Sequence, residues 1–134
     1  MNAYMGPDNP GGLWQQGIND LHPDGQQWSK LTQIDIPSKR FVTIEEQADS
    51  INDGWFDNEL ALGTVAFWGD APASYHNGSG TLSFADGHSE SHHWMSRATT
   101  FPVTTTGYNP PGFTVANKGY IDFSWMLDHY GKLR

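Results

Sequence analysis

Apolar positions in this chain come in short runs rather than at helical spacing, and the runs place most of the elements. Phe41-Val42-Thr43-Ile44 is apolar on both faces, which predicts a strand in the middle of a sheet. Thr64-Val65-Ala66-Phe67-Trp68 predicts the next strand. Two further runs, 80–85 and 88–94, flank Asp86-Gly87 and predict a hairpin closed by a two-residue type I′ turn. That turn pairs Ala85 with His88, Ser83 with Glu90 and Thr81 with His92. It puts His88, Glu90, His92 and Trp94 on one polar face, and Leu82, Phe84 and His93 on the other. Helical periodicity surfaces only near the end, where Phe123, Met126, Leu127 and Tyr130 fall at i, i+3, i+4 and i+7, with Asp122 as a cap and Gly131 just beyond.

The remaining stretches are punctuated by turn residues. Residues 1–37 carry Gly, Pro, Asn, Asp and Gln around a few aromatics and read as a loop-rich layer with a helical turn near 28–31. Residues 38–95 form the sheet core, 96–119 a long surface loop and 120–134 the C-terminal helix, all within a single domain spanning 1–134. The expected class is β-rich α+β: an antiparallel sheet of about four to six strands around a central Asp-Gly hairpin.

Composition narrows the chemistry. Fifteen acidic against seven basic residues give a net charge of −8, which repels phosphate backbones and anionic lipid heads, so neither nucleic acid nor a membrane is an expected partner. Cysteine is absent, which excludes thiol catalysis, disulfides and thiolate metal sites. The longest charge-free apolar stretch, 60–69, is too short to cross a bilayer.

Three constellations remain. Glu45, Glu46, Asp49, Asn52 and Asp53 concentrate oxygen ligands in nine residues, a density suited to calcium but without EF-hand spacing. His76, His88, Glu90 and His92 have the ligand types for zinc or copper, although His88 and His92 stand about 13 Å apart at roughly 3.3 Å per residue. Ser74 or Ser79 with His76 and Asp86 has the residue types of a hydrolytic triad, without a nucleophile elbow. Glu90, Glu45 and Asp53 are the carboxylates from which a glycoside-cleaving pair would be drawn. Trp14, Trp28 and Trp55 lie in predicted loops, where exposed indoles would stack on sugar rings.

His76 and Asp86 are separated by nine residues, and the segment from His76 to His88 resembles the His-x9-Asp-Gly signature of prepilin-type proteins of Planctomycetes, Verrucomicrobia and Lentisphaerae. Phe41 to Glu46, Asp49 to Phe56 and the opening Met1 to Gly6 are similar to the same family. The resemblance implies an exported protein related to type IV pilins and type II secretion pseudopilins, matured by a prepilin peptidase and anchored by a long apolar N-terminal helix. This sequence contains neither leader nor helix, so the expectation is the globular head alone. The implied role is structural and adhesive, in the periplasm or at the cell surface, with pilin-like subunits or a homodimer as partners. The resemblance also implies loop-bound calcium, as in pilin-like heads of secretion systems. A secreted hydrolase and a glycan-binding module are the alternatives.

Overall fold

A computed structural model describes residues 1–5, 27–58, 65–114 and 119–131. Its main sheet is three-stranded and antiparallel, in the order β1 (Phe41–Ile44), β3 (Ser79–Phe84), β4 (Ser89–His93). A second, two-stranded sheet joins β2 (Val65–Ala66) to β5 (Phe113–Thr114), and one helix, α1 (Gly119–Tyr130), ends the described chain. The arrangement is the small β-rich α+β fold expected, with narrower sheets. β1 is not central: it flanks β3, and its other edge is met by the N-terminal segment, where the Asn2 amide donates to the Val42 carbonyl at 2.9 Å. The 96–119 stretch is not a bare loop, because β5 lies within it.

The hairpin forms where the apolar runs place it, but its register differs from a two-residue turn. Leu82 pairs with Glu90 and Gly80 with His92. The Phe84 amide donates to the His88 carbonyl and the Gly87 amide to the Phe84 carbonyl, so Ala85, Asp86 and Gly87 form a three-residue loop. Only Gly87 has positive φ, at 96°, the arrangement of a type I turn followed by a left-handed glycine. The type I′ turn lies instead at Asn77 (φ 53°) and Gly78 (φ 83°), where His76 and Ser79 exchange backbone hydrogen bonds.

A slip of one residue exchanges the faces of a strand. Leu82 and Phe84 therefore share their face with His88, Glu90, His92 and Trp94, while His93 joins Ser79, Thr81, Ser83, Ser89 and Ser91 on the opposite, hydroxyl-rich face. The shared face is the core face. Leu82, Phe84 and Trp94 are buried there, and α1 crosses it with Phe123, Met126 and Tyr130 facing inward. Asp122 does not cap its own helix: its two carboxylate oxygens accept from the amides of Met95 and Ser96, both at 2.9 Å, and so tie the end of β4 to α1.

Aromatic residues carry the interior, as a chain poor in Leu and Ile requires. Tyr130 meets Tyr4 edge-on at 4.8 Å and stacks on Phe41 at 5.8 Å, and Trp68 meets Phe123 at 4.9 Å. Trp28 is buried, 2% exposed, with the Arg40 guanidinium over its ring. It is thus part of the core rather than a sugar platform. Trp55 is half-buried, and Trp14 lies outside the described residues. Arg40 is itself fixed by a bidentate pair with Asp35 and by the Asp128 carbonyl.

Gly80 occupies the closest approach in the sheet. A Cβ there would lie 2.5 Å from the Ala73 carbonyl oxygen, which already accepts the Trp94 indole N–H at 2.8 Å. Gly80→Ala is therefore expected to destabilise the fold by about 3 kcal/mol in urea titration. Gly87→Ala, where nothing lies within 4 Å and only the backbone objects, is expected to lose about 1 kcal/mol.

Candidate functional site

The two ends of the His-x9-Asp-Gly segment are built from different local rules. At one end the Asn77-Gly78 turn aims His76 back across the sheet, with Nε2 3.1 Å from Glu45 Oε1. Glu45 continues the line of β1: its amide donates to the Thr81 carbonyl, its carbonyl accepts from Ala73, and its Oε2 accepts from the Thr81 amide. Burial alone would raise the Glu45 carboxyl, but the His76 and Thr81 hydrogen bonds outweigh it and hold it below the usual range. The result is a clasp joining β1, β3 and the 73–76 segment.

At the other end Asp86 accepts from the His88 amide at 3.2 Å and lies 2.6 Å from the His88 Nδ1. The His88 hydrogen bonds hold the Asp86 carboxyl below its ordinary value. The His88 imidazole stacks flat on Phe84 at 4.3 Å. The full length of β3 separates this turn from the His76 clasp, roughly 20 Å at the rise of a strand. Ser79 Oγ meets His93 Nδ1 at 3.2 Å, and Ser74 lends its carbonyl to the Gly78 amide. His76, Asp86 and these serines are thus distributed along the hairpin and do not converge as a triad.

His92 and His129 lie in an aromatic column on the core face. His92 contacts Trp94 at 4.6 Å and stacks on Trp125 at 3.7 Å, and Trp125 stacks on His129 at 3.9 Å. His129 Nδ1 lies 2.7 Å from the Trp125 carbonyl oxygen. Burial pushes both His92 and His129 below the ordinary imidazole value. Their rings serve as flat packing surfaces. Trp125 and His129 were not among the candidates, although their i, i+4 spacing on α1 marks them as one stripe.

The oxygen-rich loop is dispersed in a similar way. Asp49 accepts from the Thr104 amide at 2.6 Å, the Thr104 hydroxyl at 3.0 Å and the Thr105 amide at 3.0 Å, where Thr105 adopts φ 59°. The Thr104 amide is foremost in holding the Asp49 carboxyl below its usual range. Asp53 accepts from the Trp55 amide, Asn52 is exposed, and Glu45 belongs to the His76 clasp. Among the described residues no three His, Asp or Glu side chains are grouped to hold a metal ion. Asp49 instead anchors one wall of an open groove of about 430 Å³, lined also by Phe101, Thr104, Thr106, Tyr108 and Asn109.

Asp70 is the buried carboxylate that pattern reading missed. It is 5% exposed and its carboxylate accepts from the Asp57 amide, while its own amide donates to the Asp57 carbonyl and its carbonyl accepts from the Asn58 side-chain amide. Burial pushes its carboxyl up to about 7, reinforced by the negative field of Glu46, Asp57 and Asp53 and opposed by the Asp57 amide.

No family model, no curated protein and no solved structure matches this chain. No helix among the described residues is long and apolar enough to cross a membrane.

The folded chain retains a proton on Asp70 that the unfolded chain releases near pH 4, so stability is expected to fall as pH rises from about 4 to about 7 and to level off above. The lowered values of His92 and His129 act oppositely, removing stability as pH falls below about 6.5. Subtracting the profile of Asp70→Asn from that of the unaltered protein isolates the carboxyl. The difference is expected to slope downward with pH by about 2–4 kcal/mol in all. A flat difference would show that Asp70 is ionised throughout.

Proposed function

We propose that this chain is the structural, adhesive head of an exported pilin-like or pseudopilin-like protein, contacting other subunits or cargo. The observation that carries this reading is the use made of the His-x9-Asp-Gly residues. His76 clasps Glu45 at one end of the hairpin and Asp86 fixes the turn at the other, so both residues hold the sheet together. A segment built in this way supports a scaffold role, because its polar groups are engaged by one another rather than directed at a common reacting atom. The resemblance of that segment to prepilin-type proteins supports the same reading, and with it a position in the periplasm or at the cell surface.

Contact with glycans is a second reading, favoured by the groove beside Asp49. Phe101 and Tyr108 offer ring surface there, and Thr104, Thr106 and Asn109 offer exposed hydrogen-bonding groups. Asp49 is already engaged by the 104–105 backbone and would act as the support of the groove.

The scaffold reading is tested by His76→Ala and Asp86→Ala. Each is expected to lower stability slightly, by under about 1 kcal/mol for the half-exposed His76–Glu45 pair, with no turnover of ester, peptide or glycan substrates before or after substitution. Turnover abolished by either change in a folded protein would establish a hydrolase instead. Glycan-array binding lost on Tyr108→Ala would establish the second reading. Calcium, zinc and copper added to EDTA-treated protein are expected to leave the melting temperature unchanged, since no three His, Asp or Glu side chains among the described residues are grouped to hold an ion. A large rise with one ion would identify a metal-stabilised head.

A further inference from the structure

The two edges of the main sheet are treated differently. Beyond β1 the N-terminal segment takes up the Phe41 and Val42 carbonyls through the Asn2 side chain and amide. Beyond β4 no described residue does so. The Phe84–His88 pair is hydrogen-bonded, so by alternation Leu82–Glu90 and Gly80–His92 are also, and Ser89, Ser91 and His93 turn their N–H and C=O groups away from β3. Among the described residues no backbone bond reaches those three from outside, and all three side chains are exposed. An open edge of this kind is a template for another strand.

We propose that the β4 edge pairs with the β4 edge of a second copy, antiparallel about a two-fold axis through Ser91, so that two three-stranded sheets become one. Only residues with outward backbone groups can face one another, which restricts a symmetric pairing to registers that set odd-numbered residues against odd-numbered ones, with the axis through a residue rather than between two. An axis through Ser91 sets Ser91 against Ser91 and Ser89 against His93, giving about six backbone hydrogen bonds. It also sets Glu90 of each copy against His92 of the other in the close, non-hydrogen-bonded position, where Cα atoms lie roughly 4.5 Å apart.

The neighbouring registers are worse on two separate grounds. Moving the axis to Glu90 places two carboxylates face to face, and like charges directly opposite are destabilising. Moving it to His92 brings Met95 into the ladder, but the Met95 amide is already donated to Asp122. The axis through Ser91 leaves that bond intact and lays the exposed side chain of Met95, 67% accessible, alongside the Asp86-Gly87 turn of the other copy. A self-complementary patch of this sort produces a closed dimer rather than a filament. The inference gives the subunit contact of the head-domain reading a location and rests on that reading for its setting, while the geometry needs only the free edge.

The test is sedentation of the full chain over a concentration series by analytical ultracentrifugation, with a reversible dimer expected. Ser91→Pro removes an outward N–H at the axis without touching a bond to β3, and is expected to weaken the dimer about tenfold or more. Near-UV circular dichroism reports whether its fold survives. A second measurement holds even where that variant does not fold. The chain has no cysteine, so Ser91→Cys and Thr43→Cys each place a single thiol per copy, on opposite edges of the sheet. A short bismaleimide is expected to cross-link Ser91→Cys and leave Thr43→Cys monomeric. A chain that stays monomeric at every concentration, a folded Ser91→Pro that dimerises unchanged, or equal cross-linking of both thiols would overturn the proposal. None of these outcomes touches the head-domain reading, which stands or falls on the His76→Ala and Asp86→Ala experiments.

Discussion

The length of one turn governs this structure. A glycine at position 87 with φ of 96° lets three residues close the hairpin, and that count decides which side chains of β4 meet which side chains of β3. With three, the large indole of Trp94 falls on the same face as Leu82 and Phe84, and the core can close beneath α1. With two, Trp94 would stand among the hydroxyls of the outer face, away from the buried cluster that holds Leu82 and Phe84. The Trp94 bond to Ala73, the stack of His92 on Trp125, and the close approach at Gly80 all presuppose the three-residue loop.

Much of the scaffold is readable from local pattern. The apolar run at Phe41–Ile44, the runs either side of Asp86-Gly87 and the i, i+3, i+4, i+7 series in α1 each reappear as an element. The turn was harder, because an Asp-Gly pair suits both a two-residue type I′ loop and a three-residue loop with a left-handed glycine. A clue was nevertheless present: Trp94 is apolar and belongs with Leu82 and Phe84, a grouping that only the longer loop provides. β2 falls within the predicted run Thr64–Trp68, but its partner β5 was invisible, since two residues within a Pro- and Gly-rich stretch carry no period and the contact is made across the chain. Trp28 read as a loop residue because its partners, Met5 and Arg40, lie in no local window.

The candidate site shows a related limit. Residue types suggested triads and ligand sets, but chemistry depends on convergence, and here the same residues are separated by the length of a strand. His76 and Asp86 act as fasteners at opposite ends of β3, and His88 and His92 contribute ring faces to Phe84 and Trp125. Imidazole is well suited to this, being flat, aromatic and still able to hydrogen-bond at its rim. In a chain with few aliphatic residues, histidine thus extends the aromatic core to the surface of the sheet.

Asn2 links places that are far apart in the chain. Its buried side chain donates to the carbonyls of Phe41 and Tyr130, each at 2.8 Å, and accepts from the Tyr4 amide. Three segments thereby share one amide group, and none can open without leaving a buried polar atom unsatisfied. The last turn of α1, the outer edge of β1 and the first five residues must therefore loosen together, as a single cooperative unit of local unfolding rather than as three frayed ends. Because the Asn2–Tyr130 bond spans nearly the whole chain, that unit also assembles late, after the hairpin has brought the intervening residues into place.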